Sequence, residues 1–320
     1  MRFKRFLTGI LFAVCLIGLT ACGGQLKDAY QMQELDLADF DAGELFKAKG
    51  FAGTLCVPGN YEELNTVGVD AEAFALFSLD DQTVISQKNI YSRVYPASTT
   101  KILTCLVAIE QGQLSDTVTV PEEAAITVSG SSMADLKPGD KLSLSDLLYG
   151  LMLPSGNDAA EAIAVHIAGS DAAFSELMNE TALRLGATQS NFVNPHGLPD
   201  DVHYTTPYDM YLIFQAAMQN ETFREIVAQK EHEARVTNAE GETRTVRWQS
   251  GNQYLNGDFQ LPAGISYNGG KTGHTNAAGY CLVMAETADD GMDYISVVYK
   301  AGSYQKLYDG TSALLQKTRT

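Results

Sequence analysis

Three short motifs follow one another along the 320-residue chain: Ser98-Thr99-Thr100-Lys101, Ser155-Gly156-Asn157 and Lys271-Thr272-Gly273. A serine with a lysine three residues on can supply a nucleophile and its base. A second serine beside an asparagine can supply a proton relay and an amide for a substrate carbonyl, and a lysine flanked by glycine a cation with room for substrate. Together they are the inventory for acyl transfer through an active-site serine. No motif suffices alone, because Ser303-Tyr304-Gln305-Lys306 repeats the first spacing and Ser250-Gly251-Asn252 repeats the second.

Context separates the copies. A helix beginning at Ser98 puts Lys101 on the same face, within reach of the hydroxyl. Lys101 acts as a base only when its amine is neutral, which burial and a neighbouring cation such as Lys271 would favour. The bland alternative is a serine N-cap followed by an exposed lysine. That suits Ser303 and Lys306, whereas Ser98 follows Pro96-Ala97 and precedes a strongly apolar helix, so its helix start is expected to be buried. Ser155-Gly156-Asn157 lies between two apolar helical segments and reads as a tight loop. There the Ser155 hydroxyl can pass a proton between Lys101 and a leaving amine, and the Asn157 amide can bond a substrate carbonyl and the lysine; an Asx-type cap is the competing reading. The copy at Ser250 sits in the polar stretch Arg247-Trp248-Gln249 and is expected to be a turn. Residues 269–275 read as a strand on whose edge a substrate can lie, with Lys271 and Thr272 taking an anionic end group and Gly273 leaving room. A turn with an exposed lysine is the alternative.

The elements that must position these groups show in the hydropathy pattern. Residues 71–79 and 83–90 are β-leaning runs joined by Asp80-Asp81-Gln82, a hairpin. From Ser98 the period becomes helical, with Ile102, Leu106 and Ile109 on one face until Gly112. Residues of about 110–235 are predominantly helical, with segments at 144–152, 158–168, 172–185 and 207–219. Strand signals return at 264–275, 279–285 and 294–300, and a closing helix is expected over 303–315. The predicted class is α/β (α+β): an antiparallel sheet flanked by helices, with an inserted all-helical lobe and a cleft between the two parts.

The N-terminus carries Arg2, Lys4 and Arg5, then an apolar run to Leu19 that is too short to span a membrane and suits a secretory signal. Leu19-Thr20-Ala21-Cys22-Gly23 resembles a bacterial lipobox, which implies cleavage before Cys22 and acylation of its thiol. The expected organisation is a signal peptide at 1–21, a lipid-anchored tether at 22–65 and one catalytic domain at 66–318, exported and held on the outer face of a membrane. Loss of the leader leaves 19 basic residues against 39 acidic, a net charge near −20, which argues against a nucleic-acid partner. Cys56, Cys105 and Cys281 are expected to be free thiols, with a Cys56–Cys281 bridge as the alternative, and Cys105 is expected to pack beneath Lys101. No spacing suggests a metal site, and no cofactor is expected. His166, His196, His203 and His232 are expected to be structural.

With these contexts the motif set resembles that of penicillin-binding proteins and class A β-lactamases. More of the chain fits one family: residues 96–101, 147–160, 269–275 and the long segment Asn194-Pro195-His196-Gly197-Leu198-Pro199-Asp200 resemble the signatures of serine-type D-alanyl-D-alanine carboxypeptidases. The resemblance covers about residues 70–315 and implies a β-lactamase/transpeptidase-like fold. It implies that Ser98 is acylated by the penultimate D-alanine of a peptidoglycan stem peptide, that the terminal D-alanine leaves, and that β-lactams bind covalently. Lys101 would be the base, Ser155 and Asn157 the relay and substrate contacts, and Lys271 and Thr272 the carboxylate site. The backbone N–H groups of Ser98 and His274 would form the oxyanion hole. Many members carry a C-terminal β-rich domain and an amphipathic anchor; here the sequence ends soon after the closing helix, and the lipid at Cys22 is expected to replace that anchor. Two other readings remain open: a β-lactamase of the same fold, and a catalytically silent lipoprotein that binds cell-wall peptide. Against the first, Glu176 to Asn179 reads as helix surface rather than a deacylating loop; against the second, a pure binder has no need of Ser98 and Lys101.

Overall fold

A computed structural model describes residues 53–59 and 62–319. The expected signal peptide, Cys22 and most of the tether lie outside the described residues. A five-stranded antiparallel sheet has the order β2-β1-β9-β8-β7. Its strands are β1 (Ala71–Ser78), β2 (Thr83–Lys88), β7 (Ile265–Thr275), β8 (Gly279–Ala288) and β9 (Asp293–Ala301). Both faces are covered, so the central strands read as continuous apolar runs. Phe74, Leu76, Leu282, Met284 and Val298 point to one side with Leu307 and Tyr308 of the closing helix, and Ala73, Ala75, Phe77, Val283 and Val297 to the other, into the main core.

That main core is built around α1 (Lys101–Gln111), whose first eight residues are all buried. Around it and beyond lie α2 (Leu144–Met152), α3 (Asn157–Ala168), α4 (Asp171–Arg184), α5 (Pro207–Met218) and α6 (Glu221–Ala228). Four of these helices begin where a side chain accepts a backbone N–H: Ser143 from Asp146, Ser170 from Ala173, Thr206 from Asp209 and Asn220 from Phe223. A short α7 (Gln253–Asn256) precedes β7, and α8 (Tyr304–Leu315) closes the chain.

The inserted lobe is not all-helical. It carries a second antiparallel sheet of order β3-β4-β5-β6, formed by β3 (Thr117–Thr119), β4 (Lys141–Ser143), β5 (Glu231–Thr237) and β6 (Thr243–Gln249). β3 and β4 are too short to show a period. β5 and β6 do alternate, but with charged or polar residues at most positions and few buried ones, Ala234, Val236 and Trp248 among them, so their apolar signal is faint. Cys56, Cys105 and Cys281 are free and buried, so the alternative bridge between Cys56 and Cys281 is not formed.

Candidate active site

Ser98 sits in a 3₁₀ turn, Ala97–Thr100, that runs straight into α1. In a 3₁₀ turn side chains three residues apart eclipse one another, so Lys101 stands directly over Ser98 rather than diagonally from it. The distance from Lys101 Nζ to Ser98 Oγ is 3.0 Å. No side chain caps this turn, which disposes of the N-cap alternative for Ser98. Ala97 has φ +47°, a left-handed conformation that is costly for a residue with a side chain and aims the next one out of the regular helix path.

Lys101 is fully buried at the head of α1. Its Nζ donates to Asn157 Oδ1 at 2.7 Å and to the His196 carbonyl at 2.7 Å. A neutral amine has two N–H bonds and one lone pair. With both N–H bonds taken by Asn157 and His196, the lone pair is left pointing at the Ser98 hydroxyl, the arrangement a general base requires. Desolvation pushes the Lys101 pKa well below the ordinary lysine value, and the Lys271 charge pushes it the same way, with Asp158 opposing.

Ser155 and Asn157 form the turn between α2 and α3, and Ser155 also has a positive φ, +64°. Its Oγ is buried without a hydrogen-bond partner among the described residues. The adjacent Asp158, to which sequence analysis assigned no part, accepts backbone N–H bonds from Ala134, Leu136 and Ala159. It thereby ties the loop that follows Val128 to the second motif. The signal was its place inside an otherwise apolar run, where a charged side chain needs partners.

β7 brings the third motif alongside the turn. A Cβ on Gly273 would lie 3.0 Å from the Ser98 nitrogen and 3.1 Å from both Pro96 O and Thr99 N. The space Gly273 leaves is therefore filled first by the backbone of the Ser98 turn, a closer duty than the expected clearance for substrate. Lys271 is buried, donates to the Thr272 carbonyl at 3.0 Å, and is lowered by burial to a pKa of about 7. Thr272 is half-buried.

Ser98, Asn157 and His274 line one cleft of about 480 Å³ with the loop Ser129–Ser132 and with His196, Gly197 and Leu198. Lys101 and Lys271 lie below its surface, each desolvated as a charged group. The 194–200 segment is clamped over the Ser98 turn: a Cβ on Gly197, at φ +86°, would come within 1.8 Å of the Ala97 carbonyl oxygen. Thr104 donates to the Pro195 carbonyl at 2.6 Å, and Thr100 Oγ1 meets His203 Nε2 at 2.9 Å. Cys105 is buried on α1 below Lys101. The other copies are structural: Ser303 caps α8 by accepting from the Lys306 N–H, with Lys306 paired to Asp70, and Asn252 caps α7. His166, His203 and His232 each pair with a neighbour elsewhere: His166 with Asp116, His203 with Thr100, and His232 with Asp146. Glu176 is exposed on α4, away from any loop.

A family model described as D-alanyl-D-alanine carboxypeptidase matches residues 61–303. The chain belongs to the D-alanyl-D-alanine carboxypeptidase family. Within that family it is 34% identical over 256 residues to the carboxypeptidase DacC of Escherichia coli, covering 77% of this chain and 60% of the relative. A Streptomyces carboxypeptidase is 36% identical over 219 residues, covering 64% of this chain and 72% of the relative. The solved structure of a Streptomyces DD-transpeptidase superposes with a TM-score of 0.72 at 30% identity, covering 79% of this chain and 98% of that one. This member of the carboxypeptidase family spans about six-tenths of the length of the first curated relatives it matches, 60% and 58%.

Proposed function

We propose that the protein is a serine D-alanyl-D-alanine carboxypeptidase that trims peptidoglycan stem peptides and is acylated by β-lactams. The observation that carries the reading is the Lys101 amine, with both its N–H bonds engaged by Asn157 and His196 and Ser98 Oγ at 3.0 Å. Ser98 Oγ attacks the carbonyl carbon of the penultimate D-alanine while its proton passes to Lys101 Nζ. The oxyanion takes the backbone N–H groups of Ser98 and His274. The C–N bond to the terminal D-alanine breaks, and that amine leaves with a proton delivered through Ser155. Water then attacks the ester with Lys101 again as base, freeing Ser98 and the shortened peptide. Lys271 and Thr272 hold the terminal carboxylate, whose charge restores the ammonium form of Lys271; Asn157 contacts the substrate backbone and Gly273 keeps β7 close. The same reading makes residues 66–318 the catalytic unit, 22–65 a tether, 1–21 an export signal and Cys22 the lipid anchor that holds the enzyme outside a bacterial membrane. Among the described residues no helix is long and apolar enough to cross a membrane.

The test is intact mass after benzylpenicillin together with D-alanine release from a D-Ala-D-Ala peptide, for wild type and Ser98→Ala. A long-lived adduct that requires Ser98, with D-alanine release, is the expected result. Fast penicillin turnover would make the protein a β-lactamase, and neither adduct nor release would leave only a binding role.

A further inference from the structure

The His196 carbonyl is one of the two acceptors that orient Lys101, and the His196 ring is held at both nitrogens. Nδ1 accepts the Leu198 N–H at 3.0 Å, so the proton is assigned to Nε2, which donates to Glu161 Oε1 at 3.0 Å. Burial holds the ring neutral, its pKa lowered to about 3, so this contact is a neutral-donor hydrogen bond rather than an ion pair. Behind it, the Glu161 carboxyl of α3 meets the Asp171 carboxyl of α4. Glu161 Oε2 and Asp171 Oδ1 are both buried, and neither finds a donor among the described residues. Two facing carboxyl oxygens that lack donors are satisfied together by one proton lying between them.

We propose that Glu161 and Asp171 share a single proton and act as a positioning pair for the catalytic lysine, through the chain Asp171–Glu161–His196–Lys101. This rests on the acyl-enzyme reading above. The titratable groups that act on the pair are His196 on the loop side and Glu123 on the 3₁₀ turn Glu122–Ala124, with Lys101 and His203 beyond His196. Burial first, then the hydrogen bond to Glu161, lifts Asp171 to a pKa of about 7, so the pair keeps one proton, carried by Asp171 and donated to Glu161. Above that pH two carboxylates repel each other, Glu161 is pushed from its place, and the hold on His196 that fixes Lys101 through its carbonyl loosens. Acylation therefore has an alkaline component, beside the one Lys271 carries, that belongs to residues outside the cleft.

The experiment follows acylation of the full chain by a fluorescent penicillin across pH, alongside the infrared carbonyl band of a protonated carboxyl. Wild type should show that band titrating near neutrality together with the alkaline fall in acylation. In Asp171→Asn the amide donates permanently to Glu161, and in Glu161→Gln the side chain still accepts from His196 and donates to Asp171; in both the alkaline fall should shrink to the part that Lys271 carries. Glu161→Leu cuts the chain and should lower acylation on the order of tenfold at every pH. Absence of a protonated carboxyl in wild type overturns the proposal. So does a titrating band with the same acylation profile in wild type and both isosteric variants, since that pair would be merely structural. If wild type takes up no penicillin, the functional reading falls, and loss of the titrating carboxyl band in Asp171→Asn and Glu161→Gln then decides whether the proton is shared, since the buried Glu286 is also held protonated.

Discussion

Asn157→Asp is the sharpest probe of how Lys101 is kept basic. The change is isosteric at a nearly fully buried position, so the fold and cleft are retained, while a carboxylate replaces the amide oxygen 2.7 Å from Lys101 Nζ. Two unit charges at that distance attract by about 6 kcal/mol at an effective dielectric of ~20. Desolvating the new carboxylate returns several kcal/mol of that, leaving a net of about 2–3 kcal/mol in favour of the proton. Where that proton sits does not rescue the base. On Lys101 it occupies the lone pair directly; on the aspartic acid it is donated to the same lone pair. At neutral pH the amine available to Ser98 should fall on the order of a hundredfold. The acylation profile should shift to higher pH, because the raised amine pKa must be passed before the base is free. Stopped-flow acylation by a fluorescent penicillin measures this, with Asn157→Ala as the control for simple loss of an acceptor, about 1–3 kcal/mol without the alkaline displacement. An Asn157→Asp protein that acylates at the wild-type rate with an unmoved profile would refute the neutral-amine account.

Gly197→Ala should cost at least about 3 kcal/mol in chemical denaturation, since its Cβ would overlap the Ala97 carbonyl; Gly241→Ala, at a similar φ but in open space, should cost only about 1 kcal/mol. Asp158→Ala strands three buried N–H groups and should lose about 3 kcal/mol of stability, with slower acylation as the Ser129–Ser132 wall loosens. Lys271 is lowered in the folded state to about 7, so between that pH and the ordinary lysine value the unfolded chain binds the extra proton and stability rises with pH. Thermal melts of Lys271→Met should show a flatter rise over that interval. Cys105 and Cys281 are buried with their thiols pushed up, Cys281 to about 12, so a thiol reagent should label them only on unfolding; labelling at the native-state rate of an exposed thiol would contradict their burial.

The parts of the site visible in sequence were those carried by local pattern. Ser98 and Lys101 share one turn, Ser155 to Asn157 one loop and Lys271 to Gly273 one strand, so spacing alone grouped each set. What spacing cannot carry is a contact made through a main-chain atom. The His196 carbonyl on Lys101, the Gly273 strand against the Ser98 nitrogen and the Gly197 contact with Ala97 are made by backbone, and a backbone atom has no residue type to read. The 194–200 segment stood out as a motif before its task was visible for that reason. In the fold, the strongly apolar strands β1, β8 and β9 were plain, whereas β5 and β6 hid because most of their positions are charged or polar and only Ala234, Val236 and Trp248 are buried, so the apolar alternation that announces a strand is faint. Asp158 and the Glu161–Asp171 pair were invisible as a group because their meaning depends on what packs against α3.

The order β2-β1-β9-β8-β7 makes the first strand of the sheet in sequence the direct neighbour of the last, Phe74 opposite Val298. The centre of the sheet thus joins segments more than 200 residues apart, and the Ser98 turn leans on β7, itself near the end of the chain. A growing polypeptide can build the helices of the lobe as they emerge, yet it cannot assemble the Ser98 site until β9 has been made and the sheet has closed around it. Such a chain has a long loop-closure cost ahead of its rewarding contacts and folds late rather than early. The pairing of Ser98 with Lys101 is thereby withheld from the nascent protein, and any truncation that removes β9 should abolish the site and the sheet in one step.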